Sequence, residues 1–112
     1  MVSLNAVLVL GAVVFVIGLF GALAKRNAVA ILMGIEIMLN AVNITLAGFS
    51  NAIVHSPAAQ AAGISTRLTG QVFVVFIITV AAAEAAVALA MIIAIYRKRN
   101  TIDVGEIDLM RW

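Results

Sequence analysis

The chain predicts an all-α membrane protein: three transmembrane helices in one membrane domain (1–112), with the N-terminus outside and the C-terminus inside. Three observations lead there. Of the 112 residues, 65% are hydrophobic and only 11% charged, where a soluble domain carries about 45–50% and about 25%. The apolar residues gather into three runs, each long enough at 1.5 Å per residue to cross ~30 Å of hydrocarbon. Six of the seven lysines and arginines sit at the two junctions that three crossings place on one side. The same composition, with a mean hydropathy of +1.22, excludes a water-soluble globule and a disordered chain. A membrane barrel needs many short segments of alternating polarity, and no such alternation exists here.

The first helix is expected over about 4–24. Ala6 to Ala24 is free of charged and polar side chains, and Lys25, Arg26 and Asn27 end it. Ala22-Leu23-Ala24 resembles a signal-peptidase site. Yet no positive charge precedes the run, and 19 apolar residues are long for a signal core, so the run reads as a spanning helix. Gly11, Gly18 and Gly21 give it a smooth stripe for close helix packing. The second helix is expected over about 28–54, interrupted by Glu36, Asn40, Asn43, Thr45, Ser50 and Asn51. A polar outer loop, 55–69, holds the only proline, Pro57. The third helix is expected over about 70–96, with Gln71, Thr79 and Glu84 inside it, and Arg97-Lys98-Arg99 closes it. In the inner tail, 97–112, Ile102, Val104, Ile107, Leu109 and Trp112 point to docking on the inner interface or on a neighbour.

Orientation follows from the basic residues. Lys25, Arg26, Arg97, Lys98, Arg99 and Arg111 share one side, and Arg67 alone lies on the other. The positive-inside rule puts the six in the cytoplasm. Lys25 and Arg26 form an inner basic turn. The pI of 9.7 comes from these topology markers rather than from a nucleic-acid surface, and no nucleic-acid partner is expected.

Glu36 and Glu84 carry the chemistry. A charge at the centre of a spanning helix costs about 2.5–3.5 kcal/mol on insertion scales. Simple polar packing is served more cheaply by Ser, Thr, Asn or Gln. Glu36 lies ~12 Å and Glu84 ~18 Å from the inner ends of their helices, too deep for a short side chain to reach water. Intramembrane acids mark ion or proton pathways by default. Asn40 at i+4 and Asn43 at i+7 return to the Glu36 face, and Ala47 and Ser50 extend that stripe outward, while Thr45 points the opposite way. The stripe reads as an ordinary amide-bonded helix contact, as the wall of a hydrated path, or as both. Glu84 sits among Ala81, Ala85 and Ala88 without a polar companion, so its partner comes from another helix or subunit. No lysine or histidine lies within the bilayer. Two acids alone do not span a membrane with a proton wire, which points to a larger assembly.

The remaining features have plain readings. His55 is a solvated residue at an outer helix end, and the five methionines are packing filler. The sequon Asn43-Ile44-Thr45 is excluded as a glycan site by its depth. With no cysteine, disulfides, thiol catalysis and cysteine-ligated metals are out of reach. No phosphate-binding glycine loop is present.

Two segments, MGIEIMLNAVNI (33–44) and GQVFVVFIITVAAAEAAVALAMIIAIYR (70–97), resemble subunit K of the proton-pumping NADH–quinone oxidoreductases of respiratory complex I. The likeness extends over nearly the whole chain, including the basic turn and the IYRKR exit. The 55–69 loop departs from it by its length. The resemblance implies a three-helix membrane-arm subunit between the quinone-proximal part and the antiporter-like subunits, with those subunits and the lipid bilayer as partners. It implies no cofactor in this subunit, with FMN, iron–sulfur clusters and quinone elsewhere in the complex. It makes Glu36 and Glu84 members of a polar axis that couples quinone reduction to proton pumping. The membrane implied is the bacterial inner (plasma) membrane, or a thylakoid membrane, where ferredoxin-driven relatives carry a very similar subunit. The alternative is the related C-type component of a multi-subunit cation/proton antiporter, whose third helix lacks the AAAE pattern around Glu84. A bare structural spacer is the third possibility.

Overall fold

The computed structural model describes residues 2–63 and 67–107, without the side chains of 67–70. Helix α1 runs Leu4–Ala24, α2 Ala28–Val54, α3 Pro57–Ala61 and α4 Arg67–Arg99, and a 3-10 turn covers Val104–Glu106. Three of these, Leu4–Ala24, Ala28–Val54 and Gln71–Arg99, are long and apolar enough to cross a membrane. The molecule is a rod, 64 × 23 × 22 Å. Its middle element is α2, which packs against both α1 and α4.

Each helix begins where its sequence offers a cap. Ser3 Oγ accepts from the Ala6 amide at 3.3 Å. Asn27 Oδ1 accepts from the amides of Val29 (2.9 Å) and Ala30 (3.4 Å), which starts α2 only three residues after α1 stops. Such caps satisfy amides that have no partner within the helix. Two boundaries differ from the sequence reading. The stretch 55–69 is not all loop, because Ser56 caps a short helix with Pro57 in its first turn, where a missing N–H costs nothing. The third long helix begins at Arg67 rather than 70 and runs on to Arg99. Its basic triplet lies inside the last turn, where cations complement the helix dipole. Asn100, at φ 56, closes it in the left-handed region, and its amide donates to the Tyr96 carbonyl at 2.6 Å.

Small residues bring α1 and α2 together. A Cβ added at Gly18 would stand 2.7 Å from the Gly34 carbonyl oxygen and 2.9 Å from the Met38 amide nitrogen; one at Gly34 would stand 2.7 Å from the Ala22 nitrogen. Gly34, Ala41 and Gly48 recur at steps of seven, as Gly11 and Gly18 do on α1, so both stripes stay on facing sides over several turns. Gly21 differs: an added Cβ meets nothing nearer than the Gly34 Cα at 3.8 Å. Against α4, the packed stripe is Val74, Ile77, Ala81, Ala85, Ala88, Ile92 and Ile95, spaced by three and four as a helix seam requires. Large apolar side chains such as Phe20, Val72 and Phe76 stay exposed, an arrangement that costs little beside lipid tails.

The tail docks on the chain itself. Asn27 and Asp103 form an antiparallel bridge: the Ala28 amide donates to the Ile102 carbonyl at 2.9 Å and the Val104 amide to the Arg26 carbonyl at 2.7 Å. The basic turn and the exit of α4 therefore share one end of the rod. Leu109, Arg111 and Trp112 lie outside the described residues.

Candidate functional site

Two faces of α2 have opposite characters. Thr45 lies on the α1 side, as its spacing predicts. Its hydroxyl donates to the Ala41 carbonyl at 3.0 Å, and a Cβ on Gly11 would come within 2.7 Å of its oxygen. On the α4 side lies the stripe of Glu36, Asn43, Ala47 and Ser50.

Glu36 is half-buried in an apolar groove of ≈ 460 Å³ between the two helices, with Met33 and Ile37 on its own helix and Ala85, Ala86 and Leu89 across from it. Alanines on the far wall leave the groove open. Seven residues further along α2, Asn43 is only 6% exposed, and neither its Nδ2 nor its Oδ1 has a hydrogen-bond partner. Leaving a buried amide atom unsatisfied costs about 1–3 kcal/mol. Seven residues beyond it, the Ser50 hydroxyl is also buried without a partner. It stands at a second opening of ≈ 350 Å³ shared with Asn51, Gln71, Val74 and Val75. Asn40 shares the stripe by spacing yet is exposed at its edge; only Asn43 is enclosed.

Glu84 is exposed. Its neighbours Ala81, Ala85 and Ala88 are the ones turned to α2, and the carboxylate sits on the flank of that stripe. Thr79 points away, its hydroxyl donating to the Val75 carbonyl at 2.9 Å. Shared linings fix the register of the antiparallel pair: Glu36 lies across from Ala85 and Ala86, and Ser50 and Asn51 from Gln71. Glu84 therefore stands about 2 Å along the axis from the level of Glu36. The two acids share a depth but not a cavity.

Lys25 and Arg26 are exposed in the turn between α1 and α2, at the end of the rod opposite His55. His55 is exposed too, its ring Nδ1 donating to the Asn51 carbonyl at 2.7 Å. Among the described residues no group of three His, Cys, Asp or Glu side chains is placed to hold a metal. Gln71 and Asn51 join the site through the register of α2 and α4. In the sequence each is only a polar interruption, and the i+7 step from Asn43 to Ser50 is the signal that leads to them.

The comparisons agree with this architecture. Residues 6–112 match the family described as NADH-ubiquinone/plastoquinone oxidoreductase chain 4L. NAD(P)H-quinone oxidoreductase subunit 4L of Nostoc sp. is 49% identical over 110 residues, 98% of this chain and 99% of its own. NADH-quinone oxidoreductase subunit K 2 of Geotalea uraniireducens is 46% identical over the whole of both chains. Subunit K of a Geobacillus species is 50% identical over 98% of this chain and 96% of its own. With three membrane-length helices and a match along almost its whole length, this chain belongs to the chain 4L, or subunit K, family of the NADH–quinone oxidoreductases.

Proposed function

We propose that the chain is a membrane-arm subunit of a proton-translocating NAD(P)H– or ferredoxin–quinone oxidoreductase, and that Glu36 and Glu84 exchange protons within the arm. The observation that carries this reading is the pair itself: two carboxylates at one depth on packed spanning helices, one half-buried in an open apolar groove between α2 and α4 and the other facing outward. An outward carboxylate at mid-bilayer is costly beside lipid, so Glu84 is covered by a neighbouring subunit. Glu36, behind the α4 alanines, takes up and releases protons through water held in its groove. The pair thus joins the inside of this subunit to its neighbour.

The energy scale suits a relay. Moving one charge against 100 mV costs ~2.3 kcal/mol, comparable with the cost of placing one carboxylate in hydrocarbon. Changes in the surroundings of these acids are therefore large enough to couple to transport. Redox chemistry belongs to other subunits, which hold the FMN, iron–sulfur clusters and quinone; this chain, without cysteine, offers no thiolate ligand. The basic residues at the end formed by the 24–28 turn and the tail put that end in the cytoplasm or its equivalent. The membrane is the bacterial plasma membrane or a thylakoid.

Glu36→Gln and Glu84→Gln, made separately in the assembled complex, test the reading. Each variant is expected to assemble, to retain electron transfer from donor to artificial acceptors, and to lose most of its proton-coupled quinone reduction. Full coupled turnover in both variants would refute it.

A further inference from the structure

We propose that the tail is a tether that sets the axial register of α4 on α2, and with it the level of Glu84 against Glu36. The proposal rests on the reading of the two carboxylates as proton-exchanging groups. Side chains along the α2–α4 seam interlock too little to fix that register. Ala81, Ala85 and Ala88 present only methyl groups to α2. The seam also opens into a groove of ≈ 460 Å³ at Glu36 and another of ≈ 350 Å³ at Ser50. A helix that slides past its neighbour moves between packings by one turn, about 5.4 Å. A slip of that size exceeds the ~2 Å that separates the levels of the two acids.

The two ends of α4 are joined to α2 very differently. At the His55 end twelve residues, 55–66, lie between the helices. At the other end the path is short. Ile102 is three residues beyond Arg99, a reach of at most about 11 Å. Its carbonyl accepts from the amide of Ala28, the first residue of α2, at 2.9 Å. The link is also preset rather than slack. Asn100 turns it at φ 56, a conformation that Asn adopts more readily than most residues, with its amide on the Tyr96 carbonyl. The Thr101 hydroxyl accepts from the Asp103 amide at 3.1 Å, and Asp103 Oδ1 accepts from the Gly105 amide at 2.8 Å. The Val104 amide then donates to the Arg26 carbonyl at 2.7 Å. One end of α4 is thereby tied to the α1–α2 turn, whose helices are locked together by backbone contact at Gly18 and Gly34. Held in this way, α4 can tilt against α2 but not slide along it.

Lengthening the link without cutting it separates tethering from stability. Two glycines inserted between Asn100 and Thr101 keep every bond of the bridge and add up to ~7 Å of reach, more than one helical turn. The same insertion after Ile107, beyond the bridge, is the control. Two substitutions cut the bridge instead. Ala28→Pro and Val104→Pro each delete one of its amide donors at the first position of a helical turn, where proline is accepted. The preceding residues, Asn27 at ψ 123 and Asp103 at ψ 116, already have the backbone that proline demands. Because the chain has no cysteine, spin labels at Val9→Cys and Tyr96→Cys, both exposed, report the axial position of α4 against α1 in the full chain in lipid nanodiscs. The Asn100–Thr101 insertion and both proline variants are expected to shift that distance, or to add a second population, by about 5 Å. In the assembled complex the same three are expected to keep electron transfer to artificial acceptors and to lose most of their proton-coupled quinone reduction, while the control keeps both. An unchanged distance in all three overturns the proposal, as does a shifted distance with coupling intact. If the insertion variant does not accumulate, the proline variants decide the matter. Glu36→Gln and Glu84→Gln answer a separate question: coupling intact in both removes the relay, while the label distance still reports whether the tail holds α4.

Discussion

Gly18→Ala puts the close approach of α1 and α2 to a direct test. The new methyl would lie 2.7 Å from the Gly34 carbonyl oxygen and 2.9 Å from both the Met38 nitrogen and its Cγ. Two of those three atoms are backbone and cannot rotate aside. Ordinary contact begins near 3.4 Å, so the helices must separate locally by about 0.5–0.7 Å, the shortfall in those distances. Overpacking of this kind costs about 1–3 kcal/mol, a factor of about five to over a hundred in the folded-to-unfolded ratio. Gly21→Ala, one turn away on the same helix, is the internal control, because its methyl meets only the Gly34 Cα at 3.8 Å. Replacing glycine by alanine favours the helix by roughly 1 kcal/mol on propensity alone, so the control should be neutral or stabilised. The assay is unfolding of the full chain in mixed micelles by increasing dodecyl sulfate, followed by helicity. Equal midpoints for the two variants would refute the claim that backbone contact at Gly18 sets the helix spacing.

Three further outcomes follow from single contacts. Asn27→Ala removes the oxygen that caps α2 at Val29 and Ala30; it should cost about 1 kcal/mol in the same unfolding assay, and Asn27→Ser should recover most of it. Asn43→Leu replaces an unpartnered amide by an apolar side chain of similar volume. It should raise stability by about 1–3 kcal/mol while slowing proton-coupled turnover, measured on the assembled complex. Asp103→Ala deletes the carboxylate that accepts from the Gly105 amide at 2.8 Å. Loosening the tail by about 1 kcal/mol should make limited proteolysis there about fivefold faster, with the three long helices unaffected.

The three long helices are legible in the sequence because lipid leaves the backbone few choices: each apolar run must satisfy its own amides, and a helix does so. The division of α2 into a Thr45 side and a Glu36–Asn43–Ser50 side is legible for the same periodic reason. What spacing leaves open is which member of a stripe is covered. Asn40 and Asn43 differ by three residues and share a face, yet one is exposed and the other enclosed, because the line along which α4 crosses that face depends on the alanines and isoleucines of another helix. Gly21 illustrates the same limit, since it belongs to the Gly11–Gly18 stripe by sequence, but at this level it is the Ala22 backbone that meets Gly34, and a Cβ on Gly21 would point to the side of that contact. The tail bridge from Asn27 to Asp103 is invisible in the sequence, being a backbone pairing between distant segments with no side-chain signature. Glu84 is a different case: its exposure makes chemical sense only in company, and a single chain shows the need for a neighbour without showing the neighbour.

The division of α2 also says why one helix can both hold the subunit together and leave part of it able to move. On the α1 side the contact is backbone to backbone through glycines, so a displacement of even half an ångström meets steep repulsion in one direction and loss of many close contacts in the other. On the α4 side alanines face a stripe with a half-buried carboxylate, an unpartnered amide and an unpartnered hydroxyl. Contact there is sparser than against α1, and the buried amide and hydroxyl find no hydrogen-bond partner in it. A change in charge at Glu36 or Glu84 therefore acts on α4, the weaker partner, while α1 and α2 stay fixed as one body. A Gly18→Ala variant that loosens α1 should then lower stability without changing proton-coupled turnover in the assembled complex, whereas Asn43→Leu should slow turnover without lowering stability. A reciprocal result, with α1 packing controlling turnover, would mean that the two faces of α2 are not mechanically independent.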